Sequence, residues 1–383
     1  MEKVRFGIVG CGNMGTTHAK NLSDGKIEHG VLTALCDINP EKLDRMRAVY
    51  GDSVHYFDTA EKMFSSGTVD VVMICVPHYD HPALAISAMD HHLHCIVEKP
   101  AGVYAKQVKE MLRRAEHADT LLGIMFNQRT NPVFKKMRQM IKDGELGRIK
   151  RLNWIITDWY RTQEYYDSGS WRATWAGEGG GVLLNQSPHQ LDLFQWIPGM
   201  SPTRVRAFCH FGKWHDIEVE DDVTCYLEYP NGATGTFITT TADAPGTNRF
   251  EVTGSKGTLI FDNGKLYFRK LLLDEREYCF ATNTSFSKPP MEETVEIKAE
   301  GDNPQHVGIC NNVANAILGL EPLYAPASDG LLGVELANAM LLSSFIDKTV
   351  DFPVDEDVFL SELEKRIAVS RPHKVKKEKV TAV

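Results

Sequence analysis

Short apolar segments alternate with helical segments of roughly ten to fifteen residues from residue 4 to about residue 129. This alternation is typical of βαβ units, in which helices connect parallel strands and cover both faces of the sheet. The pattern therefore predicts an α/β domain with a doubly wound parallel sheet over residues 1–129. Its predicted strands are Val4–Gly10, Val31–Asp37, Val54–Phe57, Val69–Val76, His94–Glu98 and Leu121–Phe126.

Beyond a helix predicted from Pro132 to about Lys142, the pattern changes to longer strands joined by hairpin turns. Asn231-Gly232 and Asn263-Gly264 supply the positive φ angles that tight hairpins need. We expect one large open antiparallel sheet in an α+β domain over residues 130–370. Its predicted strands are Thr203–Gly212, Asp222–Tyr229, Ala233–Ala242, Phe250–Gly254, Thr258–Asp262 and Lys265–Lys270.

Two late helices, about Pro304–Leu318 and Gly330–Lys348, are expected to cover one face of that sheet, since antiparallel sheets usually bury a single face. The other face would be a large apolar patch, which favours a homodimer or homotetramer formed through the C-terminal sheet. Residues 371–383 are predicted to be a tail, either a frayed end or a subunit arm.

Composition excludes several classes of partner. The 383 residues are 43% hydrophobic, enough for two cores, and 42 basic against 51 acidic residues give a net charge of −9. No basic field is available to attract nucleic acid or an anionic membrane surface. We expect no membrane span, no export leader and a cytoplasmic location. The eight scattered cysteines contain no CxxC pair, so neither a disulfide frame nor a metal site is predicted.

A glycine-rich turn, Gly10-Cys11-Gly12-Asn13-Met14-Gly15, follows the first strand and opens a helix. In a Rossmann domain such a turn admits a pyrophosphate, whose charge meets the backbone N–H groups of the helix start. The second strand ends in Asp37, 22 residues after Gly15, where a carboxylate accepts hydrogen bonds from ribose hydroxyls and repels a 2′-phosphate. The sequence therefore predicts that NAD, rather than NADP, is bound by Gly10, Gly12, Asn13, Met14, Gly15 and Asp37.

The fourth strand closes with Val76-Pro77-His78, and the carboxyl ends of parallel strands face the ligand crevice. Val76, Pro77, His78 and His81 are therefore candidate cofactor contacts. The two histidines could equally be polar loop residues or caps of the following helix, Pro82–Met89.

An ordered set of motifs extends over nearly the whole chain: GIVGCGNMGTTHAKNL, VPHYDHP, IVEKPAG, FNQRTNPVF, GELGRI, WRATWAGEGGGVLLNQSPHQLDLFQW and FEVTGSKGTLIF. This set resembles the glucose-fructose oxidoreductase, inositol dehydrogenase and rhizopine-catabolism family (Gfo/Idh/MocA). The resemblance implies an N-terminal Rossmann domain followed by an open antiparallel sheet. It also implies NAD-dependent oxidation of a secondary hydroxyl of a sugar or polyol, or reduction of the corresponding ketone.

The same resemblance implies site residues. The lysine of EKP, here Lys99, contacts the reacting hydroxyl and the nicotinamide region, and a histidine at a helix start, here His189, serves as acid/base. Many members have an aspartate four residues before that histidine, whereas this chain has Asn185. Glu98 is expected at the cofactor, and Asn127 at both cofactor and substrate.

The chemistry supports these assignments. Hydride leaves a carbinol carbon only as the hydroxyl proton is removed, so the site needs a base of near-neutral pKa. With Ser187 as helix cap and Pro188 as first helical residue, His189 lies in the first turn, where the helix dipole disfavours imidazolium. Lys99 would stabilise developing alkoxide charge, and Asn185, which cannot titrate, can still orient a hydroxyl or the imidazole.

Aromatic residues and arginines are concentrated in Asp158–Arg161 and Trp171–Trp175. Such a composition is expected where a sugar ring stacks and its hydroxyls are bound, although a subunit interface uses the same residue types. Within these segments we predict substrate contacts from Trp159, Tyr160 and Arg172.

The leading interpretation is an NAD-dependent dehydrogenase that acts on a ring hydroxyl of a sugar, glycoside or cyclitol. A second is an NAD-retaining glycosidase-type enzyme that uses transient oxidation to allow elimination of a glycosidic group. A third is a non-catalytic regulator that senses sugar or NAD. The presence of both Lys99 and His189 argues against the regulator, because a sensor does not need a proton-transfer pair.

Overall fold

The computed structural model describes residues 3–371 and divides into two compact units, each discontinuous in sequence. The parallel-sheet unit comprises the described residues up to Asp143, together with Pro188–Met200 and Lys298–Glu335. The nine-strand unit comprises Gly144–Ser187, Ser201–Ile297 and the described residues from Leu336 onward. The predicted domain boundaries after residues 129 and 370 remain predictions. Residues 372–383 of the predicted tail lie outside the described residues.

Six parallel strands form the first sheet in the order β3-β2-β1-β4-β5-β6. They are β1 (Val4–Val9), β2 (Gly30–Cys36), β3 (His55–Phe57), β4 (Val71–Ile74), β5 (His94–Val97) and β6 (Leu122–Ile124). This order reverses direction between β1 and β4, the topological switch point at which Rossmann sheets bind their ligands. The predicted doubly wound Rossmann sheet and its six strands are confirmed.

Nine strands form the second sheet in the order β14-β13-β12-β11-β7-β10-β9-β8-β15. They are β7 (Ile149–Ile156), β8 (Arg204–Phe211), β9 (Glu220–Glu228), β10 (Thr234–Thr240), β11 (Asn248–Gly254), β12 (Gly257–Asp262), β13 (Lys265–Lys270), β14 (Val295–Ile297) and β15 (Val350–Asp351). The large sheet is confirmed as mostly antiparallel. Sequence reasoning missed the central strand β7, which pairs parallel with β10 and antiparallel with β11.

The helices are α1 (Asn13–Ser23), α2 (Pro40–Tyr50), α3 (Ala60–Phe64), α4 (His81–Asp90), α5 (Ala105–Ala115), α6 (Pro132–Lys142), α7 (Gln163–Asp167), α8 (Pro188–Trp196), α9 (Glu275–Ala281), α10 (Gln305–Ile317), α11 (Ala327–Phe345) and α12 (Glu356–Ile367). Among the helices of residues 3–371, we find none whose length and apolar content would suit a membrane crossing.

The position of α10 corrects one prediction. We expected this helix to cover the antiparallel sheet, but Ile309, Cys310 and Val313 belong to the buried core of the parallel-sheet unit. An apolar helix stripe does not reveal which of two sheets will bury it, so a helix late in the chain could not be placed from sequence. The last part of α11 does lie on the nine-strand sheet, where Ser343 and Ser344 accept hydrogen bonds from the backbone of β8.

Candidate active site

The three glycines of the turn between β1 and α1 have three different surroundings. Gly10 has a φ of +98°, and a Cβ there would lie 2.4 Å from the carbonyl oxygen of Cys75. A Cβ on Gly15 would lie 1.8 Å from the carbonyl oxygen of Gly10, so this glycine allows α1 to pack against the turn. A Cβ on Gly12 would meet no heavy atom within 4 Å. The turn is therefore tightly packed at Gly10 and Gly15 but has open space beside Gly12. This open space fits the close approach of a dinucleotide pyrophosphate.

Asp37 is buried directly after β2 and is held beside this turn. Its Oδ2 accepts a hydrogen bond of 2.8 Å from the Cys11 N–H, and its Oδ1 accepts one of 2.8 Å from the Asn39 N–H. The ammonium group of Lys42 lies 3.2 Å from Oδ2. The carboxylate is thus fixed where Rossmann proteins bind the adenosine ribose.

The segments after β4 and β5 are joined by His81. Its Nδ1 lies 2.8 Å from the carbonyl oxygen of Pro100, and its Nε2 lies 2.8 Å from that of Val76. Burial lowers the pKa of His81, and a neutral imidazole has one N–H, so the ring donates to one of these two carbonyl oxygens at a time. The imidazole lies between the loop that carries Lys99 and the end of β4. His78, also predicted at the cofactor, is buried with its ring centroid 5.8 Å from that of His81.

Glu98 forms a buried ion pair with a residue that sequence reasoning missed. The Oε1 of Glu98 lies 2.7 Å from the Nε2 of His18, and both side chains are almost fully buried. Burial opposes the ionisation of Glu98, but His18, together with the positive charge of Lys99 and a smaller effect of His306, outweighs it and lowers the pKa of Glu98 to about 2. Burial likewise opposes the protonation of His18, while its contacts with Cys310 and Glu98 raise its pKa to about 10. The histidine of the GTTHAKNL motif was the available sequence signal.

The other carboxylate oxygen of Glu98 accepts a hydrogen bond of 3.2 Å from the Lys99 N–H. The backbone of Lys99 is therefore fixed by Glu98 on one side and, through the Pro100 carbonyl, by His81 on the other. The donor atoms of His18, Cys75 and Glu98 all lie within 4.8 Å of one another. Burial raises the pKa of the Cys75 thiol well above its usual value. The present bonding is thus that of a buried ion pair beside a neutral thiol.

His189 occupies the first turn of α8, as predicted, because the helix begins at Pro188. The residue is 9% exposed, and its Nδ1 has no hydrogen-bond partner in the described part of the chain. Burial, the positive charge of Lys99 and a smaller effect of His306 together lower the pKa of His189 to about 3. The imidazole is therefore neutral at physiological pH, with a ring nitrogen able to accept a proton.

The helix that carries His189 is anchored by a buried arginine. Arg129 binds Asp192, one turn after His189, through Nε at 2.8 Å and a terminal nitrogen at 2.5 Å. Its other terminal nitrogen lies 2.5 Å from Asp329. A bidentate guanidinium–carboxylate pair has a well-defined geometry, so α8 is held in one orientation within the parallel-sheet unit.

Asn127 lies in the same unit, in the single helical turn that follows β6. Its Nδ2 donates a hydrogen bond of 2.5 Å to Gln305, and its Oδ1 has no partner among the described residues although it is buried. The unsatisfied oxygen is consistent with the predicted ligand contact. The next residue after Gln305 is His306, whose ring centroid lies 5.4 Å from that of His18. No motif indicated His306, because it comes near from a distant part of the chain.

The predicted substrate residues of the nine-strand unit belong to a connected network. The Tyr165 hydroxyl accepts a hydrogen bond of 2.6 Å from Arg172 and donates one of 3.2 Å to the Oδ1 of Asn185. The Arg172 guanidinium also lies over the ring of Tyr165 at 4.4 Å. The guanidinium of Arg161 lies 5.6 Å from the ring centroid of Trp159.

Tyr160, the remaining predicted substrate contact, is 49% exposed. The aromatic rings of Trp159 and Tyr165 each lie close to an arginine of their own unit. The substrate roles of Trp159, Tyr160 and Arg172 stay predictions.

The glycine turn, the buried Asp37 beside it and the switch point of the sheet together define a dinucleotide-binding Rossmann domain. Residues 4–126 match the oxidoreductase family with an NAD-binding Rossmann fold, and residues 134–260 match the GFO/IDH/MocA C-terminal domain. The chain belongs to the Gfo/Idh/MocA family of oxidoreductases.

Named relatives agree with this membership. Over 267 residues, the chain is 28% identical to a myo-inositol 2-dehydrogenase of Thermotoga maritima, covering 68% of this chain and 75% of that protein. It is 24% identical to an inositol 2-dehydrogenase of Rhizobium meliloti, covering 89% and 96%. The crystal structure of the WlbA dehydrogenase from Bordetella pertussis, in complex with NADH and UDP-GlcNAcA, matches with a TM-score of 0.77 and 26% identity, covering 92% of this chain and 100% of that one.

Proposed function

We propose that the protein transfers a hydride between the nicotinamide of NAD and a ring secondary hydroxyl of a sugar, glycoside or cyclitol. The observation that carries this proposal is the neutral imidazole of His189, which has a ring nitrogen without a partner in the unit that also holds Lys99 and the glycine turn. The relatives named as inositol dehydrogenases support the substrate class.

Bound NAD supplies the hydride acceptor. In the oxidative direction His189 accepts the hydroxyl proton at a ring nitrogen, and the ammonium group of Lys99 stabilises the negative charge that develops on the substrate oxygen. In the reverse direction His189 returns the proton to that oxygen. The buried Glu98 and the His81 bridge keep the Lys99 backbone in place during the reaction.

A substrate panel tests the proposal. Purified protein with NAD⁺ is mixed with myo-inositol, levoglucosan, free hexoses, methyl glycosides and nucleotide-linked sugars, and NADH is followed by absorbance. Net NADH formation with at least one compound is expected, and the His189→Ala variant should lose it. A glycoside that is consumed without NADH accumulation would instead indicate transient oxidation, and no turnover of any compound would contradict the proposal.

We expect NAD to bind more tightly than NADP, because the Asp37 carboxylate would face a 2′-phosphate at short range. Replacing Asp37 by Asn removes the charge and keeps only one of the two oxygens that accept the Cys11 and Asn39 N–H groups. In this variant the ratio of NAD affinity to NADP affinity should fall about 10-fold. Calorimetric titration of both nucleotides measures it, and equal affinities in the unmutated protein would contradict the role of Asp37.

The predicted homodimer or homotetramer through the nine-strand sheet belongs to the same proposal. Phe208, Thr224, Ile238 and Ile155 are aligned across four neighbouring strands. Phe208 is 53% exposed and Ile155 is 38% exposed, which supports burial of this row against another subunit. The cytoplasmic location also remains proposed, supported by eight cysteines of which none forms a disulfide in the described structure.

A further inference from the structure

Two arginines of the nine-strand unit lie against the same tyrosine of α7. The guanidinium carbon of Arg172 is 4.4 Å from the ring centroid of Tyr165, and that of Arg161 is 5.1 Å from it. Arg161 also lies 5.6 Å from the ring centroid of Trp159. Aromatic faces attract guanidinium groups, so two positive charges are held close together by rings that carry no charge. Both arginines are partly exposed, so a ligand can reach them.

The two positive charges differ in how they are balanced. Arg172 lies 3.7 Å from the buried carboxylate of Glu178 and donates a hydrogen bond of 2.6 Å to the Tyr165 hydroxyl. Arg161 donates a hydrogen bond of 2.8 Å to the carbonyl oxygen of Tyr160, and no carboxylate oxygen of the described residues lies within 4.0 Å of its side-chain nitrogens. The chain has a net charge of −9, so this unbalanced charge is not part of a general excess of basic residues.

Two N–H groups of the same cluster are buried without a hydrogen-bond partner among residues 3–371. They are the indole Nε1 of Trp159 and the Nε of Arg172. Burial of an unpaired donor costs free energy, and such a group calls for a partner from a bound molecule. Neither atom can accept a hydrogen bond, so the partner of each must be an acceptor. Together with the unbalanced charge of Arg161, these donors favour an anionic group.

Gln186 adds a group of the opposite kind. It is 5% exposed, its Nε2 donates a hydrogen bond of 3.2 Å to the Tyr165 hydroxyl, and its Oε1 is buried without a partner in the described part of the chain. An amide oxygen accepts a hydrogen bond from a hydroxyl. The cluster therefore combines donors for an anion with an acceptor for a neutral hydroxyl.

We propose that Arg161 and Arg172 bind an anionic group of the substrate, so that the sugar carries a carboxylate or a phosphate. The indole N–H of Trp159 donates to the same group, and the Oε1 of Gln186 accepts a hydrogen bond from a ring hydroxyl. This inference rests on the proposed function, which defines the reacting hydroxyl but leaves the charge of the substrate open.

Matched sugars test the proposal. Glucose, glucuronate and glucose 6-phosphate differ in charge at one carbon, and galactose, galacturonate and galactose 6-phosphate form a second set. Each sugar is titrated calorimetrically into protein saturated with NADH, which cannot accept a hydride, so binding is measured without turnover. We expect an anionic sugar of at least one set to bind about 10-fold more tightly than its neutral counterpart. Added NaCl should weaken this preference, and comparison of the acid with the phosphate identifies the charged group.

Substitution of Arg161 decides which residue reads the charge. Arg161→Gln breaks no carboxylate pair and should lower the affinity for the preferred anionic sugar about 10-fold, while the affinity for the neutral sugar changes less than about 2-fold. Arg161→Lys keeps the charge and should retain most of the preference. Arg172→Gln should act in the same direction, although it also disturbs the contact with Glu178. Arg269→Gln, at an exposed arginine of β13 in the same unit, is the matched control and should change neither affinity.

The outcomes separate this inference from the proposed function. A neutral sugar that binds at least as tightly as its anionic counterparts in both sets would overturn the anionic site, as would the absence of measurable binding by all four anionic sugars. Equal losses of affinity for neutral and anionic sugars in Arg161→Gln would also overturn it. A tightly bound anionic sugar that gives no NADH with NAD⁺ would support the site and contradict hydride transfer. NADH formation from neutral sugars without any preference for the anionic ones would leave hydride transfer standing and overturn the site.

Discussion

Replacement of Lys99 by Met is expected to lower turnover by about 10²-fold or more while NAD binding survives. The methionine keeps roughly the length of the side chain but removes the positive charge that stabilises the substrate oxygen as it loses its proton. The effect should fall on kcat, because this interaction strengthens as the transition state forms. Steady-state kinetics with the panel compound that gives the most NADH measure the turnover, and calorimetric titration measures the affinity for NAD.

The surroundings of Lys99 make this substitution interpretable. Its N–H is bound by Glu98 and the following Pro100 carbonyl by His81, so the backbone does not depend on the ammonium group. Lys62→Met, at an exposed helical lysine paired with Asp58, is the matched control. Near-normal turnover of Lys99→Met would leave the mechanism without its electrostatic element. A loss of NAD affinity equal to the loss of turnover would make Lys99 a cofactor ligand only.

The parts of the fold that sequence predicted are those with a local signal. The strands β1 to β6 are short apolar runs bounded by helix starts, and the glycine-rich turn lies within one βαβ unit, where Gly15 packs against Gly10. The strand β7 has the polar residues Lys150, Arg151 and Asn153 between its apolar ones, which weakened its pattern. Its central place depends on pairing with β10 and β11, strands about eighty to a hundred residues later.

The residues of the candidate site also differ in whether the sequence near them carries a signal. Lys99, His189 and Asn185 could be predicted because motifs surround them, whereas most of the groups near them come from distant segments. His18 pairs with Glu98 across eighty residues, and His306 approaches from α10. Glu178 lies only seven residues from Asn185, but its contact depends on how the glycine-rich turn between them folds. Spacing alone could not reveal that this acid holds the amide.

The pH dependence of catalysis gives the sharpest test of His189. The pKa of His189 is lowered from 6.5 to about 3 by burial, by Lys99 and by His306, so the base form prevails throughout the neutral range. In the oxidative direction kcat/KM requires the neutral ring and should rise with pH through any titration of this group. We therefore expect the acid limb of the profile to lie below 6.5.

The lowered pKa of His189 also makes the folded protein less stable at acid pH, independently of its effect on the rate. Between pH 3 and 6.5 the unfolded chain binds a proton at His189 that the folded protein does not, so this group lowers stability as the pH falls through that window. Activity lost at acid pH is therefore assigned to titration only if it returns at once when the sample is brought back to neutral pH. Intrinsic fluorescence at each pH reports whether the protein remains folded.

Replacement of His189 by Ala should remove the acid limb together with most of the activity, by about 10² to 10⁴-fold, because a positioned general base contributes an effect of that size. NAD affinity should change little, and His55→Ala, at an exposed strand position of the same unit, serves as the control. The Nδ1 of His189 has no partner to lose, so the substitution removes a proton acceptor without breaking a described hydrogen bond at that atom. An active His189→Ala enzyme with the acid limb unchanged would show that another group takes the proton, and His189 would then be a residue of the α8 helix start without a catalytic role.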